Sequence, residues 1–195
     1  MNFVNHVKDG QHIVLFYEEI EYAKKISSEF IKSGLEHNKR CSYVSDEDAE
    51  VVTRELADDG IDVNKISLNG LLNIRKAPDL IDNFPKKSLT NKNGLGIKSA
   101  KPKPRQPDRA VFRCVNNINT DEQIESTLKW EHEYRLKELK NGKTNLLCCY
   151  PLDNIIQVLS DSTGPFAKWM NALLTTYNGV IFARRLWKGV AFNLD

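Results

Sequence analysis

Ile13-Val14-Leu15-Phe16 is an unbroken apolar run, framed by His12 on one side and Tyr17-Glu18-Glu19 on the other. A strand without polar alternation has both faces covered, which is the condition of a central strand in an α/β sheet. The residues that follow narrow the choice. Tyr17-Glu18-Glu19-Ile20-Glu21-Tyr22 stands where a phosphate-binding α/β protein would carry a glycine-rich loop and a lysine, and its three carboxylates would repel a phosphate. No glycine of the chain falls in a GxxxxGK spacing, so nucleotide hydrolysis is not expected, nor is any other catalysis.

The rest of the chain repeats the strand-helix alternation of a mostly parallel sheet. Ala23, Ile26, Phe30, Ile31 and Leu35 recur at helical spacing, and the pattern stops near Gly34 and His37-Asn38-Lys39-Arg40. Cys41 to Val44 predicts a second strand, and Ser45 with Asp48 predicts a capping box for a helix that ends at Gly60. Residues 61–69 predict a helical or turn segment and residues 71–74 a third strand. Further strands are expected over 110–115, 146–150, 180–183 and 190–192, the last two as an antiparallel hairpin. Between them, Thr120 and Gln123 predict a capped helix ending at Gly142, and Phe166 to Tyr177 a last amphipathic helix. The expected architecture is a single α/β domain over residues 1–195, in three layers, with helices on both faces of the sheet. At 195 residues, 41% of them hydrophobic, the chain is long enough for one well-cored domain. It has no run of about 18 apolar residues and no signal pattern at its start, so a cytoplasmic location without membrane insertion is expected.

Residues 85–109 break the pattern. Lys86, Lys87, Lys92, Lys98, Lys101, Lys103, Arg105 and Arg109 face only Asp108, a local charge of +7 within a chain of net +2, which leaves the remainder at −5. Four prolines, two glycines and almost nothing to bury predict a long mobile insertion.

With these elements placed, HIVLFYEE, FIKSGLEHNKRCSYVSDED, GIDV, GLLNIRK, VNNINTDEQIESTLKWEHEYR and NLLCCYPLDNI resemble, over roughly residues 10–160, the methanogen and methylotroph sensory domain called MEDS. That family is related in fold to RecA-like ATPases without their nucleotide motifs. The resemblance implies a small-molecule sensory module in signal transduction or transcriptional control, in some members for hydrocarbon derivatives. No output domain is recognisable beside it, so action through a partner protein, self-association or the basic segment is expected.

In an open parallel sheet, ligands sit beyond the carboxyl ends of the strands. Those ends supply Tyr17 and Glu18, Ser45 and Asp46, Asn116 and Asn117, and Tyr150 and Asp153 as candidate ligand-binding residues. The plainer reading has Ser45 and Asp46 capping a helix and Asn116 and Asn117 making turns. His12 stands where the family pattern has its histidine and joins the candidates, although a lone histidine there more often bonds to backbone. No metal site and no cofactor are expected. Glu131-His132-Glu133 lacks the i, i+4 spacing of HExxH, Cys148 and Cys149 point to opposite faces of a strand, and Cys41 and Cys114 complete no CxxC, so reduced buried thiols are expected. Nucleic-acid binding through the eight cations of 85–109 is the alternative function, although the segment has no aromatic residue for base stacking.

Overall fold

A computed structural model describes residues 7–76, 107–113, 143–152, 177–184 and 187–193. The sequence pattern becomes strands β1 (His12–Tyr17), β2 (Cys41–Ser45), β3 (Leu72–Lys76), β4 (Arg109–Arg113), β5 (Asn145–Pro151), β6 (Gly179–Arg184) and β7 (Trp187–Asn193). Helices α1 (Ile20–Glu36), α2 (Ala49–Asp58) and α3 (Val63–Leu68) lie between the first three strands. Every expected strand is present, with its ends moved by up to three residues, β4 being described as far as Arg113.

The seven strands form one sheet in the order β3-β2-β4-β5-β1-β6-β7. All neighbours run parallel except β6 and β7, which form the expected antiparallel pair. The unbroken apolar run is thus flanked by β5 and β6, as a strand covered on both faces requires. The chain leaves β2 outward to the edge strand β3, but leaves β4 in the opposite direction to β5. Adjacent strands whose connections diverge create a crevice at their carboxyl ends, so the switch point lies between β2 and β4.

Odd-numbered residues of β1, β2, β4, β5 and β6 share one face. Ile13, Leu15, Tyr17, Cys41, Tyr43, Val111, Leu147, Cys149, Ile181 and Ala183 pack there against Ala23, Ile26, Phe30 and Ile31 of α1 and Val52 and Leu56 of α2. The opposite face carries Val14, Phe16, Val44, Phe112, Cys148 and Tyr150, all buried. The helix expected over 120–142 and residues 166–176 of the one expected over 166–177 fall outside the described residues, as do the basic segment up to residue 106 and Cys114. Among the described residues no helix is long and apolar enough to cross a membrane, and Cys41, Cys148 and Cys149 are buried.

Two helix boundaries differ from expectation. The glycine expected near the stop of α1 lies inside the helix. The turn is made by Asn38 at φ 54°, with Lys39 N–H donating to the Gly34 carbonyl (2.9 Å) and Asn38 N–H to the Leu35 carbonyl (2.9 Å), a Schellman closure in which asparagine takes the left-handed position. Gly34 serves packing instead: a Cβ there would come within 2.7 Å of Arg109 Cδ and 2.8 Å of Cys41 Sγ. The Ser45–Asp48 capping box does not form either. Asp48 occupies the N-cap of α2 without a side-chain cap bond and accepts instead from Lys76 Nζ. Ser45, the last residue of β2, donates to the Arg113 carbonyl (3.0 Å) and accepts from Glu47 N–H (3.2 Å). By contrast, Gly60 ends α2 as expected, at φ 86° with Ile61 N–H on the Leu56 carbonyl.

Candidate functional site

Both ends of the sheet carry buried polar groups, and at the amino end Arg40 Nη1 and Arg109 Nε have no hydrogen-bond partner. At the amino end, short side chains latch the strands to one another. Asn145 Oδ1 accepts from Gln11 N–H (3.0 Å), Asn178 Oδ1 from His12 N–H (2.9 Å) and Asp108 Oδ2 from Arg40 N–H (2.8 Å), while Thr144 Oγ1 donates to the Pro107 carbonyl (2.7 Å). His12 belongs to this end, its ring 6.4 Å from that of Tyr177. A six-residue strand separates it from Tyr17 by roughly 16 Å. It is therefore not part of a site at the carboxyl end, a correction that follows from its position at the start of β1.

At the carboxyl end the switch point holds a charged cluster. Arg113, the last residue of β4, is fully buried, with its Nη2 donating to both Glu47 and Glu55 (2.6 Å to Glu55) and its guanidinium 5.4 Å from the centre of the Tyr43 ring. Lys24 of α1 reaches the second oxygen of Glu55 at 3.0 Å. Burial alone would lower the Arg113 pKa, but the neighbouring Tyr43, Glu55 and Glu47 outweigh it and raise the value. A buried cation of this kind is tolerable only when paired.

The pairing leaves donors over. Arg113 Nε and Nη1 and the Tyr17 hydroxyl are buried and have no hydrogen-bond partner, a condition costing about 1–3 kcal/mol for each group. Tyr17 and Arg113 lie on the same face of the sheet, two strands apart, with Cys149 of β5 between them. Burial raises the Tyr17 pKa far above its ordinary value, aided by Cys149 and opposed by Arg113, so its hydroxyl stays protonated and is a donor. Cys149 Sγ lies 3.5 Å from Ser27 Oγ, and burial pushes its thiol up to about 11. The cluster can donate hydrogen bonds; it holds no activated nucleophile.

The candidates chosen from sequence divide across the sheet. Tyr17, Ser45 and Asp46 lie at the switch-point end, with Glu18 immediately after β1, where its N–H donates to the Ala183 carbonyl (3.1 Å). Tyr150 reaches the same end but the opposite face, its ring 6.3 Å from that of Phe16, which in turn stacks on Phe182 at 5.2 Å. Tyr17 and Tyr150 therefore do not share one pocket wall. Asn116, Asn117 and Asp153 lie outside the described residues, as do Lys86, Lys87, Lys92, Lys98, Lys101, Lys103 and Arg105. Arg109 is corrected. It is buried in β4, donates from Nη1 to the Phe30 carbonyl (2.8 Å) and lies 4.9 Å from the Phe30 ring centre, so it offers no charge to a nucleic acid.

Sequence reasoning missed Arg113, Glu47, Glu55 and Lys24. The available signal was a charged residue inside Ala110-Val111-Phe112-Arg113-Cys114-Val115, a segment otherwise apolar enough for a central strand. An arginine there implies a buried carboxylate partner.

The fold and this site define a class: an open, mostly parallel α/β sheet of RecA type in which β1 passes into α1 after only Glu18 and Glu19, leaving no loop to cradle a phosphate. The MEDS family profile, described as the methanogen/methylotroph, DcmR sensory domain, matches residues 11–161. The chain belongs to this family of sensory domains. Among solved structures it is similar to a KaiC-like protein from the hyperthermophilic archaeon Pyrococcus horikoshii OT3, at 19% identity and a TM-score of 0.55, covering 90% of this chain and 72% of that one. No curated protein matches the sequence.

Proposed function

We propose that this domain acts by binding rather than by catalysis. It takes a small molecule at the carboxyl ends of β1, β2 and β4, on the face covered by α1 and α2, and passes its occupancy to a partner protein in signal transduction or transcriptional control. The observation that carries this reading is that the Tyr17 hydroxyl and Arg113 Nε and Nη1, all at the switch point and on one face of the sheet, are buried donors without a hydrogen-bond partner. Membership of a sensory family supports it. The segments that bound the site, Glu18–Glu19 and Asp46–Asp48, lead directly into α1 and α2, so a ligand lodged between them has two helices to shift.

A thermal-shift screen against nucleotides, small metabolites, short hydrocarbon derivatives and duplex DNA at low and high salt tests it. The expected result is a salt-insensitive rise with a small molecule, corresponding to about 2.7 kcal/mol when the ligand stands at a hundred times its Kd. A rise with DNA alone, lost at high salt, would overturn it and assign the function to the lysines of the basic segment.

A further inference from the structure

We propose that the Tyr17 hydroxyl and Arg113 Nε and Nη1 are the ligand-recognising groups of this site, and that they take a small neutral molecule through a hydrogen-bond-accepting oxygen, such as that of a ketone. This rests on the sensory reading above and names the chemistry its ligand must carry. All three groups are donors on one covered face, and none has an acceptor within reach. Arg113 is fully buried and Tyr17 is 2% exposed, so bulk water does not satisfy them.

Charge decides against an anion. Arg113 and Lys24 are already matched by Glu47 and Glu55. Asp46, Asp48, Glu18, Glu19 and Glu21 add further acid around the same strand ends, although Lys76 offsets Asp48. A phosphate or carboxylate would enter a cluster that is balanced at its centre and acidic at its rim, whereas a neutral oxygen meets only the unused donors. A purely apolar ligand would leave those donors unpaired and gain nothing from them. Recognition of this kind favours the molecule that carries the oxygen over its hydrocarbon isostere, because the isostere leaves buried polar groups unsatisfied.

The test uses the full chain and a graded set of ketones from acetone to cyclohexanone, each compared with its hydrocarbon isostere. It is read by calorimetry and by the NMR signal of the Arg113 Nε–H. The expected result is saturable binding of a ketone that moves the Arg113 signal and no binding of its isostere. Tyr17→Phe should weaken that binding about two- to tenfold, the effect of one lost neutral hydrogen bond. Arg113→Lys, which keeps a cation for Glu47 and Glu55 while removing Nε and Nη1, should weaken it about tenfold or more. Native-like melting of either variant separates lost recognition from lost folding. Equal binding of ketone and isostere, or unchanged affinity in both variants, overturns the assignment while leaving the sensory reading in place. Failure of every ketone to bind, with an Arg113 proton exchanging only with internal water, overturns it as well. If the thermal-shift screen also finds no small molecule, the sensory reading falls with it.

Discussion

At the scale of the residue, two arginines of β4 decide much of the packing. Arg109 lies in the gap left by Gly34, with its Cδ and Cys41 Sγ occupying the space that any Cβ would need. Gly34→Ala places a better helix former in α1, yet it is expected to destabilise the protein by about 1–3 kcal/mol, because Arg109 is held on the Phe30 carbonyl and cannot withdraw. Urea denaturation of the variant checks this, and a gain in stability would mean that Arg109 moves freely. Arg113 presents the opposite case, a buried charge whose removal of partners is costly. Glu55→Ala leaves Arg113 with Glu47 alone and Lys24 with Glu21 alone and is expected to cost about 1.5–3 kcal/mol, above the effect of breaking the exposed pair of Lys39 and Asp9. The thiols give a pH dependence. Burial raises Cys149 to about 11 and Cys41 to about 12 from an ordinary value of 9.0. Both are neutral in the folded protein at pH 7, and each folded value lies above the unfolded one. Their contribution to stability is therefore complete below pH 9 and is lost as the pH rises through 11 and 12. Melting temperatures taken from pH 7 to 11 should fall on the alkaline side, and the fall should flatten in a Cys41→Ala, Cys149→Ala double variant.

At the scale of the element, strands were the most legible feature, because an unbroken apolar run has few alternatives. Ile13 to Phe16, Leu146 to Tyr150 and Val180 to Ala183 each became a strand at the place its composition marks. Helix ends were less legible, since glycine, asparagine and serine each serve more than one purpose. Gly34 looks like a stop and is a packing gap; Asn38 makes the stop; Ser45 looks like a cap and instead binds the Arg113 carbonyl across the switch point. The site was legible only in outline. The place of the candidate site at the carboxyl ends follows from the parallel sheet, and Tyr17 was chosen in that way. Its chemistry was not, because the partners of Arg113 come from the β2–α2 turn and the second turn of α2, and no spacing in the sequence brings Glu47, Glu55 and Lys24 to β4. Side-chain alternation accounts for the remaining error: Tyr17 and Tyr150 end neighbouring strands, but Tyr150 pairs with Phe16 rather than with Tyr17 in the register and so shares its face.

At the scale of the molecule, the strand order makes folding depend on the far end of the chain. β1 has no neighbour among β2, β3 and β4; it pairs only with β5 and β6, in the register Phe16 to Tyr150 and Phe16 to Phe182. Its backbone is also latched by Asn145 and Asn178, which stand 134 and 166 residues from their partners. A chain stopped after residue 142 still contains α1 and the apolar residues of β1, but the strand would have two open edges and its buried side chains no partner. Isolated α1, whose stability comes from packing rather than propensity, could not hold it. Such a fragment is expected to show no cooperative thermal transition, whereas the full chain melts in one step, and circular dichroism of the two distinguishes them. Cooperative melting of the fragment would mean that β2, β3 and β4 form a self-sufficient core with α1 and α2. The same dependence bears on the proposed sensing: within the sheet, Tyr17, on β1, and Arg113, on β4, are joined through β5. On the proposed reading, a movement of β5 between them would alter the spacing of the two donors, so ligand occupancy of the switch point would be coupled to the closure of the sheet by its last strands.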